Sequence, residues 1–199
     1  MDKPPKIPPA KLERALSAVG DLLAEAGERV GIVVVGGMAM NLLGFVSRAT
    51  HDVDVLAVTS PGDDRRAVLR RPTTLPPALA QAVATVAGDL RLVPDWLNAA
   101  VASQWDTGVP PGLESRVHWR RYGGLDVGLA DRLDLIFLKL YAAADDIGPA
   151  SIHYQDLLAL HPTFGEIEAA AEWVRTQDPS PGMAQSLRGV VNHARDELA

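Results

Sequence analysis

The chain has 199 residues, a hydrophobic share of 47% and no cysteine. This size suits one compact domain with a sizeable core, and the lack of cysteine excludes disulfides, thiol catalysis and cysteine-based zinc sites. The formal net charge of −6 disfavours a protein that coats DNA non-specifically, although a local basic patch could still bind RNA or a nucleotide. The opening residues lack the apolar stretch of a signal peptide and no apolar run reaches transmembrane length, so we expect a cytoplasmic protein with no membrane partner.

The first half of the sequence alternates helical and strand patterns. The Pro-rich residues 1–9 predict a flexible lead, because proline is extended and cannot pair through an N–H group. Leucine and valine then recur at helical spacing, and two short β-branched runs follow. The predicted elements are a helix from Ala10 to Gly27, a buried strand over Gly31–Val35, a short helix over Met38–Phe45 and a strand over Val53–Val58.

The second half is predicted to hold a hairpin and then helices only. The charged segment 63–75, which holds an arginine cluster, is interpreted as a helix or loop. The further predicted elements are a helix over Leu79–Leu90, a short helix over Val93–Asn98 capped by Asp95, hairpin strands over Val117–Tyr122 and Leu125–Ala130, and helices from Asp131 onwards. This order predicts an α+β fold, with a mixed β-sheet flanked by helices and an all-α C-terminal part. We expect a core over residues 10–130 and a helical part over 131–199 packed on it.

The residues with the clearest chemistry lie around the second predicted strand. Gly36 and Gly37 follow a strand and precede a helix, where bare backbone N–H groups and the helix dipole favour a phosphate. Asp52 and Asp54 are two residues apart on a strand, so both carboxylates are expected on one face. Carboxylates this close are tolerated when a divalent cation bridges them. The pattern favours Mg²⁺ carrying a nucleoside triphosphate.

The order of these residues is more specific than either motif alone. A strand, Gly-Gly-x-Ala, a helix, the Arg48-x-Thr50 step and then Asp-x-Asp in an apolar run follow one another over residues 31–58. This arrangement resembles the polymerase β-like nucleotidyltransferase superfamily, in particular small bacterial members such as minimal nucleotidyltransferases and AbiEii-type toxins. The resemblance implies a mixed sheet core, a helical C-terminal part, Mg²⁺ or Mn²⁺, and transfer of a nucleotide from an NTP.

Carried onto this sequence, the resemblance assigns roles to individual residues. Gly36 and Gly37 would bind phosphate, and Asp52 and Asp54 would bind the metal and act in catalysis. Arg48 and Thr50 would contact the phosphates or brace the loop. Two further residues complete the predicted set. Asp126 would be a third catalytic carboxylate, with a solvated residue of the hairpin as the alternative. Lys139 would lie near the triphosphate, with a surface lysine as the alternative.

The predicted function is Mg²⁺-dependent transfer of an NMP group from an NTP to a hydroxyl of a protein or RNA. A toxin–antitoxin or defence system, with a cognate partner protein, is the expected setting. The alternative is a catalytically inactive member of the fold that binds a nucleotide or a partner. A ribonuclease function would require Arg188 and His193 to lie together in a cleft. Their Arg-x4-His spacing occurs here no more often than is expected by chance.

Overall fold

The fold is α+β, as the order of sequence patterns predicts. The computed structural model describes residues 6–59 and 68–198. The helices are α1 (Pro9–Glu25), α2 (Gly36–Leu43), α3 (Pro77–Leu90), α4 (Gln104–Thr107), α5 (Leu113–Arg116), α6 (Arg132–Asp145), α7 (Ile152–Ala159), α8 (Phe164–Gln177) and α9 (Pro181–Leu198). The strands are β1 (Val30–Val35), β2 (Val53–Thr59), β3 (Leu69–Arg70), β4 (Leu97–Asn98), β5 (His118–Tyr122) and β6 (Leu125–Leu129).

The chain divides into two compact units. The first comprises residues 1–105 and 114–130, and the second comprises residues 106–113 and 131–199. Within the described parts of the chain, no helix is long and apolar enough to cross a membrane.

The first unit is built on a mixed sheet with the strand order β3-β2-β1-β6-β5, and β4 pairs with β2 outside this path. The central strand β1 is antiparallel to β2 and parallel to β6. Every residue of β1 is buried, which explains why its sequence is apolar on both faces instead of alternating. The predicted hairpin is confirmed, because β5 and β6 pair antiparallel from His118 opposite Leu129 to Tyr122 opposite Leu125.

Strand β2 carries one extra residue. Val33 lies opposite Ala57 and Val34 lies opposite Val55, so Leu56 has no partner on β1. The indole Nε1 of Trp105 donates a hydrogen bond of 2.7 Å to the backbone oxygen of Leu56. A bulge of this kind changes the face to which the following side chains point.

The segment Val93–Asn98 does not form the capped helix that Asp95 predicts. Leu97 and Asn98 instead form β4, parallel to Val53 and Asp54. The backbone oxygen of Trp96 accepts a hydrogen bond of 2.7 Å from the Val53 N–H, and the fully buried Trp96 indole donates to the Val83 oxygen of α3. Strand pairing and burial of a large aromatic side chain outweigh the local capping preference here.

Two other predicted segments differ from expectation or lie partly outside the described residues. Residues 60–67, which include Arg65 and Arg66, are not among the described residues. The adjoining Leu69 and Arg70 form β3 against Val58 and Thr59 instead of a helix. At the start of the chain, Ile7 is buried and pairs with Thr50 through two backbone hydrogen bonds, so this part of the predicted flexible lead is fixed. Residues 1–5 of that lead are not among the described residues.

The second unit is helical beyond Asp131, as predicted. The Asp131 side chain caps α6 by accepting from the Leu133 N–H. Thr163 and Glu166 form a reciprocal capping box at the start of α8. Arg132 binds the Glu166 carboxylate and the backbone oxygens of Leu160 and His161, which ties α6 to the segment between α7 and α8.

Candidate functional site

The turn from β1 into α2 places two glycines at a helix N-terminus. Val35 precedes the helix and no side chain caps it. Gly36 has a φ of +70°, a conformation that glycine adopts without strain. A Cβ atom at Gly36 would lie 2.5 Å from Oδ2 of Asp54, so a larger residue would collide with that carboxylate. The turn therefore brings the backbone N–H groups of a helix N-terminus, which favour an anion, next to Asp54.

The bulge at Leu56 directs Asp54 to this turn. Asp54 lies opposite Val35, the last residue of β1, and paired residues point to the same face of a sheet. Without the extra residue, Val55 would stand opposite Val35 and Asp54 would point to the other face. The bulge is therefore what places the Asp54 carboxylate beside the glycine turn.

Asp52 is held by a residue from a different strand. Nδ2 of Asn98 donates a hydrogen bond of 3.3 Å to Oδ2 of Asp52, and Asn98 lies opposite Asp54 in the β2–β4 pairing. Asn98 thus belongs to the same side-chain cluster as both aspartates. The structure brings Gly36, Asp52, Asp54 and Asn98 together at one end of β1 and β2.

Arg48 and Thr50 lie next to the second glycine. A Cβ atom at Gly37 would be 3.0 Å from Oγ1 of Thr50 and 3.7 Å from Nη2 of Arg48. The Asn41 side chain fixes this loop, because it donates to the backbone oxygens of Gly37 and Arg48 and accepts from the Arg48 N–H. The guanidinium of Arg48 and the hydroxyl of Thr50 therefore stand where they could contact an anion at the turn.

The donor set of this cluster suits a divalent cation that a substrate helps to bind. Asp52 and Asp54 are both half-buried, and carboxylate oxygens are the ligands that Mg²⁺ prefers. Across residues 6–59 and 68–198, no group of three His, Asp or Glu side chains is arranged to hold a metal ion. Mg²⁺ commonly binds through one or two carboxylates together with substrate phosphates, so two aspartates beside an anion-binding turn fit that chemistry.

Comparison with protein families identifies the group to which the chain is related. Residues 10–147, more than half of the chain, match the model of a family described as nucleotidyltransferase of unknown function (DUF6036). The chain belongs to this nucleotidyltransferase family. The match confirms the nucleotidyltransferase assignment, whereas the relation to the polymerase β-like superfamily and to its minimal or AbiEii-type members stays a prediction. No curated protein and no protein of known structure matches the chain significantly.

The structure does not bring Asp126 to the aspartate pair. Asp126 lies opposite Gly31 at the start of β1, whereas Asp54 lies opposite Val35 at its end. Val35 follows Gly31 by four residues on β1, which is a distance of about 13 Å along the strand. Asp126 instead accepts from Arg29 at 2.7 Å and from Arg121 at 2.8 Å. Partial burial raises the pKa of Asp126, but the two arginines outweigh this effect and hold the pKa below its ordinary value.

Lys139, predicted to lie near the triphosphate, is engaged within the second unit. Its Nζ atom lies 2.8 Å from Oδ2 of Asp156, and both side chains are buried. The pair connects α6 to α7. The alternative of a surface lysine is therefore wrong, because Lys139 is 6% exposed.

Sequence patterns did not indicate Asn98 and Asn41 as members of this cluster. Asn98 acts through a hydrogen bond to a residue 46 positions away, and a two-residue strand is too short to show a periodic pattern. Asn41 follows the glycine turn by one helical turn, which is a spacing that could have indicated its contact with the Gly37 oxygen.

Proposed function

We propose that this nucleotidyltransferase transfers an NMP group from an NTP to a hydroxyl of a protein or RNA, with Mg²⁺ or Mn²⁺ bound by Asp52 and Asp54. The observation that carries the proposal is the close approach of the Asp54 carboxylate to Gly36, where a Cβ atom would lie 2.5 Å from Oδ2 of Asp54. A phosphate bound to the α2 N-terminus would lie beside a metal-binding carboxylate, which is the arrangement that an NTP with its cation requires.

In the proposed reaction, the acceptor hydroxyl oxygen attacks the α-phosphorus and loses its proton. The bond from the α-phosphorus to the bridging oxygen breaks, and pyrophosphate leaves. The N–H groups at Gly36 and Gly37 would bind the triphosphate, and Arg48 and Thr50 would orient it from the neighbouring loop. The bound cation would neutralise phosphate charge and stabilise the charge that develops during transfer.

A transfer assay tests this proposal directly. The protein is incubated with each α-labelled NTP, Mg²⁺ and either cellular RNA or protein lysate. We expect label on the acceptor with the wild type and none with Asp52→Ala or Asp54→Asn. Asp89→Ala, which removes an exposed carboxylate of α3 in the same unit, is the matched control and should transfer normally.

The second candidate function is a non-catalytic member of the family that binds a nucleotide or a partner. It is favoured by the amide of Asn98 opposite Asp54, at a position where a carboxylate would complete a set of three. Nucleotide binding without label transfer would support this candidate over the enzyme. A protein that neither binds a nucleotide nor transfers label would exclude both candidate functions.

The proposed setting is a toxin–antitoxin or defence system. Its support is the resemblance of residues 31–58 to small bacterial nucleotidyltransferases. Expression of the wild type in a bacterial host should slow growth, and Asp54→Asn should not, if the transfer acts on an essential RNA or protein.

A further inference from the structure

The segment that carries Asn98 is fixed from both sides. Before it, Trp96 is fully buried and bonded to α3 through its indole and to β2 through its backbone oxygen. After it, the Ala100 N–H donates to Oδ1 of Asn98 at 2.9 Å, and Nδ2 donates to the Asp95 oxygen at 3.2 Å. These contacts hold the amide in one orientation, with Nδ2 toward Asp52.

An amide and a carboxylate would act in opposite ways at this position. The Asn98 amide donates to the Asp52 carboxylate and leaves that carboxylate its negative charge. An aspartate of the same shape could keep the bond from Ala100, but it would place a third negative charge against Asp52 and Asp54. Asparagine therefore orients one metal-binding carboxylate while the cluster keeps two acidic groups.

We propose that Asn98 is a positioning residue of the metal site, and that the site is built for a single divalent cation. This inference rests on the proposed function for the identity of the site. Two carboxylates balance one divalent charge, and Asn98 fixes the direction from which Asp52 meets the cation. Groups that orient a ligand in this way commonly contribute a factor of about 10 to 100 to metal affinity.

Titration of the full chain with Mn²⁺ alone, followed by electron paramagnetic resonance, tests the inference without any activity. We expect one bound Mn²⁺ for the wild type and binding weakened about tenfold or more by Asn98→Ala. Ser103→Ala is the matched control, because the Ser103 hydroxyl also braces the segment after Asn98, by donating to the Ala100 oxygen at 3.3 Å, but it makes no hydrogen bond to Asp52 or Asp54. Its Mn²⁺ affinity should stay within about twofold of the wild type.

The isosteric variant Asn98→Asp separates positioning from mere bracing of the loop. It should lower the Tm without metal, through repulsion among three carboxylates, and show a larger Mn²⁺-induced rise in Tm than the wild type. Equal weakening by Asn98→Ala and Ser103→Ala would overturn the inference. So would wild-type affinity in Asn98→Ala, a metal-independent Tm in Asn98→Asp, or no Mn²⁺ binding by the wild type. Mn²⁺ binding that depends on Asn98, in a protein without transfer, would leave the inference standing and exclude the enzyme.

Discussion

The Nζ atom of Lys139 and Oδ2 of Asp156 form an ion pair of 2.8 Å between α6 and α7, with 8% and 2% of the side chains exposed. Replacing both partners of a buried ion pair with apolar residues often changes the stability little. Removing one partner is strongly destabilising, because it leaves an uncompensated buried charge. We expect Lys139→Met to lower the free energy of unfolding by about 3–5 kcal/mol, measured by urea denaturation.

The double variant Lys139→Met/Asp156→Leu is the control for this prediction. It removes both charges, so it should recover most of the stability that the single variant loses. A single variant as stable as the wild type would show that the ion pair does not hold α6 against α7.

The capping box of α8 predicts a dependence of stability on pH. The hydrogen bonds from Arg132 lower the pKa of Glu166 to about 2; partial burial opposes this effect, and hydrogen bonds from Thr163 add to it. A carboxyl whose folded pKa is lowered stabilises the fold fully above its unfolded pKa of about 4.5, and this contribution is lost as the pH falls towards 2. The stability lost in Glu166→Gln should be on the order of 3 kcal/mol at neutral pH and shrink steadily below pH of about 4.5.

Glu172→Gln serves as the control for the pH series. Glu172, like Glu166, forms an ion pair with an arginine, here Arg175 of the same helix. The Glu172 side chain is 77% exposed, so solvent screens this pair. The loss in the free energy of unfolding for this variant should stay below about 1 kcal/mol. A pH-independent difference for Glu166→Gln would contradict the assigned role of Arg132.

Asp126→Asn distinguishes the arrangement in the structure from the one that the sequence pattern predicts. If Asp126 were the third catalytic carboxylate, the variant would lose NMP transfer. Because Asp126 is bound by Arg29 and Arg121 at the other end of β1, we expect transfer to persist. The arginine side chains are 49% and 59% exposed, so the loss of stability should be below about 1 kcal/mol.

Local patterns predicted the elements whose side chains repeat regularly. The apolar run of β1, the helical spacing of α1 and the glycine turn before α2 can each be derived from neighbouring residues. The sequence also predicts that the glycine turn and the Asp-x-Asp motif serve one metal–nucleotide site, but not which of their atoms meet.

Features that depend on distant residues could not be derived in this way. The bulge at Leu56 is satisfied by Trp105, and β4 forms because Trp96 is buried against α3 and β2. The sequence pattern of Asp126 is compatible with a third catalytic carboxylate, but its pairing with Gly31 places it at the other end of β1 from Asp54. Each of these depends on strand register or on contacts between residues far apart in sequence.

The central claim is that the glycine turn and Asp54 bind a metal–nucleotide together. The most direct test is calorimetric binding of non-hydrolysable NTP analogues, with and without Mg²⁺, to Gly36→Ala and Gly44→Ala. Both glycines flank α2 with positive φ angles, of 70° and 83°, so both variants introduce backbone strain. A Cβ atom at Gly36 would meet Asp54, whereas one at Gly44 would meet nothing within 4 Å. We predict Mg²⁺-dependent binding in the wild type and Gly44→Ala, and at least about a tenfold loss in Gly36→Ala, or about 1.4 kcal/mol. Equal affinity in the two variants, or binding by the wild type that Mg²⁺ does not affect, would contradict the claim.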